Sequence, residues 1–195
     1  MMTEQLENRI QTAVDLFMKG YGCCQSVVAA FADLYGMDRE TALKVGAGFG
    51  GGVGRMRMMC GAVSGLVILA GLETGQTSDE GSSPARTDGV STSRTQPDSG
   101  SNATLIRTAK TECYRLVQSL LEKFRQANGS IICAELLGLT PKSAAGAHGQ
   151  SHVLMSAAGG FVPSERNAEY YRTRPCAAKV ESAARIFAEY LQSKS

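Results

Sequence analysis

Residues 46–75, GAGFGGGVGRMRMMCGAVSGLVILAGLETG, limit what this chain can fold into more than any other stretch. A glycine run, Gly46, Gly48, Gly50, Gly51, Gly52 and Gly54, leads past Arg55 and Arg57 to Cys60. Beyond Cys60 the small residues Gly61, Ser64, Gly65 and Gly71 are set among Val63, Leu66, Val67, Ile68 and Leu69. A segment that is apolar on every side belongs inside a bundle. At roughly 13 residues it falls short of the ~20 that a membrane span needs. Its small residues also let a neighbouring backbone come close. The expectation is a central helix over residues 60–72 with a thiol in its first turn.

Around that helix the chain reads as further helices. Leu6, Ile10, Ala13, Val14 and Phe17 recur at helical spacing through residues 4–19, and Gly20 stops the run. A second helix is expected from Cys23 through Val27, Val28, Phe31 and Leu34 to Gly36. A third, capped by Asp38, carries Leu43, Val45 and Phe49 into the glycine bend. Residues 103–127 form a fifth, with Leu105, Ala109, Cys113, Leu116, Leu120 and Phe124 along one stripe and Asn128-Gly129 closing it. Ser130 should cap a short helix holding Cys133, Leu136 and Leu137. Pro175 suits a first helical position and opens the last helix, on which Cys176, Val180, Ala183, Ala184, Phe187 and Leu191 share a face. No β alternation of useful length interrupts these, so the fold class is all-α, a compact bundle of about six helices.

Residues 75–102 break the pattern, with Ala85 and Val90 as their only apolar side chains. Such a segment buries too little to offset its ordering entropy. A flexible insertion is expected inside a single domain spanning residues 1–195, since neither flank reads as an independent fold. Residues 141–163 read as irregular, with a loose helix over 148–158 as an option.

A formal charge of +2 and the lack of a basic run give no case for nucleic acid. The opening MMTEQLENRIQTAV scatters its charges and has no apolar h-region, so it does not read as a secretory signal. The expected location is cytoplasmic. In a reducing compartment six cysteines are catalytic, metal-binding or buried rather than a disulfide framework.

Four of them share a position. Cys23, Cys60, Cys133 and Cys176 each fall at the expected start of a helix, where unpaired N–H groups and the helix dipole stabilise an anion. That environment favours the thiolate, the form that attacks disulfides and binds metals. Arg55 and Arg57 precede Cys60, and Arg172 and Arg174 precede Cys176, so both thiols are expected below the unperturbed ~8.5. Cys113 lies mid-stripe and reads as a small buried hydrophobe, and Cys24 as a filler of the core beside Cys23. Four buried structural cysteines are the plain alternative, and the shared helix-start placement weighs against it.

The run Phe49-Gly-Gly-Gly-Val-Gly-Arg55 followed by Cys60-Gly-Ala-Val-Ser-Gly65 resembles the C_GCAxxG_C_C family, described as redox-active proteins with four characteristic cysteines. Gly22-Cys23-Cys24-Gln25-Ser26-Val27 is similar to the pattern of the first family cysteine, which makes Cys23 the match. Ser130-Ile-Ile-Cys133-Ala-Glu-Leu-Leu137-Gly138 is similar to the third, and Cys176 after Pro175 to the fourth. The likeness covers residues 10–75 and 105–190. It implies redox activity at Cys23, Cys60, Cys133 and Cys176; Arg55 and Arg57, from their place before Cys60, are expected beside any bound group. The family is in turn similar to the N-terminal part of split-Soret cytochrome c, which implies an iron–sulfur cluster with those four cysteines as its metal ligands. The chain has no Cys-x-x-Cys-His, so haem attachment does not carry over. It has no Cys-x-x-Cys either, hence no thioredoxin-type dithiol and no clustered ligand spacing. A four-thiolate cluster and a pair of reversible disulfides both fit the cysteine spacing.

Two weaker signals are set aside. Gly46-x-Gly48-x-x-Gly51 has the dinucleotide spacing, but that motif follows a strand and here a helix precedes it. His148 and His152 would share a helical face, yet Gly146 and Gly149 favour a loop. The expected function is electron transfer or thiol–disulfide chemistry at a four-cysteine site, an oxidoreductase if it turns over. Its redox partner is not legible, and a homodimer is one assembly open to it. From another class comes a zinc-stabilised interaction module with no turnover. A cysteine hydrolase pairing Cys60 with His148 or His152 lacks an evident third, orienting group.

Overall fold

The apolar segment expected at the centre is a helix, α4 (Gly61–Thr74), in the computed structural model, which describes residues 2–75, 101–139 and 160–194. Val63, Leu66 and Leu69 on it are fully buried, and it packs against three other helices, α2 (Cys23–Ala29), α5 (Ser101–Asn128) and α8 (Cys176–Lys194). Close crossing explains the small residues. A Cβ at Gly65 would lie 2.7 Å from the Val27 Cβ, so α2 rests directly on the α4 backbone.

The remaining helices among the described residues are α1 (Glu4–Met18), α3 (Arg39–Ala47), α6 (Cys133–Leu136) and α7 (Ala168–Thr173). The protein is all-α as its periodicity predicts; among the described residues β geometry is confined to an isolated antiparallel bridge between Met59 and Ile132. α1 lies along α8, fastened where Thr3 N donates to Gln192 Oε1 at 3.1 Å and Arg185 pairs with Glu7 at 3.2 Å. Phe17, Phe31, Phe124 and Phe187 fill the core, with Phe31 edge-on to Phe187 at 5.2 Å between centroids. Among the described residues no helix is long and apolar enough to cross a membrane.

Several boundaries differ from the periodicity. The second helix does not run on to Gly36: α2 ends at Ala29 and a 3-10 turn, Ala32–Tyr35, follows. The break turns Phe31 into the core, while Arg9 takes the Ala30 carbonyl at 2.8 Å and pairs with Asp33 at 2.6 Å. Asp38 caps α3 as expected, accepting from Thr41 N at 2.9 Å, but that helix stops at Ala47 and leaves Phe49 in the bend. α5 begins at Ser101, inside the stretch assigned to the insertion. α7, capped by Asn167 accepting from Tyr170 N at 2.9 Å, was not expected. Its six residues offer too short a period to stand out. The rest of the insertion, the optional helix over 148–158, and His148 and His152 lie outside the described residues.

Candidate redox site

Each of the four family cysteines stands at a helix start. α2, α6 and α8 begin on Cys23, Cys133 and Cys176, and Cys60 is the residue that caps α4. Local chemistry sets these starts. Gln25 reaches back to accept from Gly22 N at 2.8 Å, which fixes the entry to α2. Ser130 Oγ accepts from Ile132 N at 2.9 Å and meets Glu135, turning the chain into α6. The bridge then draws two of the starts together, with Cys60 N donating to the Ile131 carbonyl at 2.8 Å and Cys133 N to the Met58 carbonyl at 2.6 Å.

The glycine run closes over this end of the bundle in a tight loop. Its backbone takes positive φ at Gly51, Gly52 and Gly54, and also at Val53, Arg55 and Arg57, where side chains make that conformation costly. Gly52 admits no substitute: its φ is +78°, and a Cβ would sit 2.6 Å from the Cys133 Cβ. The loop roofs a cavity of about 570 Å³ onto which Cys23, Cys133 and Cys176 open. Cys60, only 6% exposed, lies behind its wall, and neither Cys24 nor Cys113 reaches it. Cys113 is half-buried on α5 rather than sunk in the core.

All six cysteines stand as free thiols. Cys23 and Cys176 face the same cavity, and hydrogen bonding between them couples their titrations. That bond is the chief reason the Cys176 thiol falls to about 7; burial opposes it, and Arg174, Arg166 and Arg57 reinforce it. The same bonding pushes Cys23 well up, and its burial and the charge on Cys176 add to the effect. The arrangement is one acidified sulfur and one protonated neighbour on the same cavity.

The arginines act differently from the sequence expectation. Burial lifts Cys60 to about 11 in spite of the N–H groups of Ala62 and Val63 pointing at it, so it is not the acidified thiol expected behind Arg55 and Arg57. Burial raises the Cys133 thiol, and Arg57, which lines the same cavity, acts against that rise. Arg55 reaches the Gly160 carbonyl at 3.0 Å and Ser164 at 3.3 Å. Arg174 lines the cavity as its position before Cys176 suggests, whereas Arg172 pairs with Glu169 on the surface. Sequence reasoning missed Arg166, which stacks on Phe17 at 4.5 Å and on Tyr170 at 4.6 Å beside Cys176. The signal available was the cluster of three arginines and two tyrosines over residues 166–174.

A fold of this kind, with helix-start thiols collected under arginines, defines an all-α protein with a cysteine-centred site. The sequence profile of the C_GCAxxG_C_C family, described as "Putative redox-active protein", matches residues 21–190, and the chain belongs to that family. No curated protein and no solved structure gives a significant match to it. The iron–sulfur cluster suggested by the sequence likeness needs three or more thiolates converging on one centre. Among the described residues no three Cys, His, Asp or Glu side chains stand where they could hold a metal ion. The sulfurs as arranged do not fit a cluster, and no chemical step is derived through one.

Proposed function

We propose that this protein is a thiol–disulfide oxidoreductase in which Cys176 is the attacking sulfur and Cys23 the resolving one. The placing of Cys23 and Cys176 on one cavity, with Cys176 acidified, carries the reading. At neutral pH about half of a thiol with a pKa near 7 is thiolate, and attack is fastest when that value is close to ambient pH. The Cys176 thiolate attacks one sulfur of a disulfide RSSR, forms the mixed disulfide Cys176–S–S–R and expels RS⁻. Cys23 then gives its proton to the departing RS⁻ and attacks the Cys176 sulfur. A Cys23–Cys176 disulfide forms and the second RS⁻ leaves. The substrate gains two electrons and the protein loses two, which an external dithiol reductant returns.

The test is a redox titration of the full chain in dithiothreitol buffers, with free thiols alkylated and disulfides mapped by mass spectrometry. A single two-electron transition joining Cys23 to Cys176 is the expected result. Oxidation that joins other cysteines, or visible absorbance with bound iron and sulfide in protein purified without oxygen, would replace this reading.

A further inference from the structure

The cavity above the thiol pair is charged in one sense only. Arg55, Arg57, Arg166 and Arg174 line it, and among the described residues no Asp or Glu does. Several arginines elsewhere are paired with carboxylates, as in Arg9 with Asp33, Arg125 with Glu122 and Arg185 with Glu7. Two of the cavity arginines also carry unmet donors. Arg57 is only 5% exposed; its Nη1 reaches the Gly51 carbonyl at a long 3.5 Å, and its buried Nε has no partner among the described residues. Arg166 is held between aromatic rings with Nη2 on the Tyr21 carbonyl at 3.3 Å, and its buried Nη1 likewise has no partner there.

A buried charged donor left without an acceptor is costly. A carboxylate or phosphate group, accepting several N–H bonds at once, relieves that cost. Arg57, Arg166 and Arg174 line the same cavity as Cys176, so a group bound by them shares that cavity with the reacting atom. The cavity volume of about 570 Å³ suits a small molecule.

We infer that the cavity binds its substrate through an anionic oxygen group seated between Arg57 and Arg166, so that the disulfide reduced at Cys176 is a small, carboxylate-bearing one. This rests on the thiol–disulfide reading above. Arg166 is a positioning residue, stacked in place by Phe17 and Tyr170.

The reduced full chain is treated at low salt with three disulfides of similar size. These are 3,3′-dithiodipropionate (anionic), bis(2-hydroxyethyl) disulfide (neutral) and cystamine (cationic). Loss of the Cys176 thiol is followed by mass spectrometry, and each rate is divided by that of the same disulfide with 2-mercaptoethanol. The anionic disulfide should react at least tenfold faster than the neutral one on this scale, with the cationic one slowest. Inorganic phosphate should slow the anionic reaction alone. Arg166→Gln, or Arg174→Gln if that variant does not fold, should bring the anionic-to-neutral ratio towards one. The ratio cancels any loss of Cys176 thiolate that the variant causes. Equal normalised rates for all three disulfides overturn the inference and leave the thiol–disulfide reading intact. If even the neutral disulfide fails to react, the thiol–disulfide reading falls. Calorimetry of phosphate with Cys176→Ser protein then decides the anion site alone: binding lost in the added Arg166→Gln supports it, and no binding overturns it.

Discussion

Replacing Cys23 by Ala removes the donor that the Cys176 sulfur depends on most. The fall of that thiol from an ordinary 9.0 to about 7 corresponds to ~2–3 kcal/mol in favour of thiolate. Losing half of this would return the thiol to about 8 and leave roughly a tenth of it ionised at pH 7 instead of about half. Losing all of it would leave about one per cent. Alkylation of Cys176 by iodoacetamide at pH 7 should therefore slow by about 5- to 50-fold. The plateau at high pH should rise, because a more basic thiolate is the better nucleophile. The assay is peptide-resolved mass spectrometry of the folded, reduced chain across pH 5.5 to 9.5, with circular dichroism to confirm folding. Cys23→Ser keeps a donor in place and should hold the midpoint close to that of the parent protein. An unchanged Cys176 profile in Cys23→Ala would refute the reasoning and assign the acidity to the arginines instead.

Gly65→Ala should destabilise the protein by ~1–3 kcal/mol in urea unfolding, because the new Cβ would meet the Val27 Cβ at 2.7 Å. The ~1 kcal/mol that alanine gains over glycine in a helix does not offset that overlap, and a more stable variant would contradict the close crossing. Phe31→Ala, which empties the core site against Phe187, should cost ~3–5 kcal/mol by the same measurement; a loss below 1 kcal/mol would contradict its burial. Burial holds Cys24 up at about 12 and Cys60 at about 11 in the folded state. Folded values above the unfolded one give stability that is complete below the ordinary thiol value and lost as pH rises through those two. The melting temperature should therefore drop between about pH 9 and pH 11, less steeply in Cys24→Ala, and a flat profile would count against these assignments.

The helices were legible wherever a long apolar stripe had to face one core: α1, α4, α5 and α8 all follow their periodicity. What periodicity could not express is where a helix breaks to bury one large side chain, as it does at Phe31, or a single-turn element such as α7. At the site, helix-start placement was readable because glycine, serine and proline sit beside the cysteines and fix the boundaries. Which sulfurs pair was not. The pairing of Cys23 with Cys176 depends on how α2 and α8 approach, and no spacing along the 152 intervening positions encodes it. The arginines misled for a similar reason. Positive φ at Arg55 and Arg57 turns their side chains away from Cys60, the nearest cysteine in sequence, towards Ser164 and the cavity that Cys133 lines.

The hydrogen-bonded thiol and thiolate have a consequence for electrons as well as for protons. Reducing a Cys23–Cys176 disulfide takes up two protons with two electrons while Cys176 binds its proton, and one proton once it does not. The reduction potential of the pair should therefore fall by ~59 mV per pH unit in acid and by ~30 mV per pH unit above the Cys176 value. The bend between the two lines belongs at about pH 7. Every contact that lowers the Cys176 thiol also stabilises the reduced form, and so makes the pair a stronger oxidant. Its full effect, on the order of 60 mV, is reached only above the ordinary thiol value.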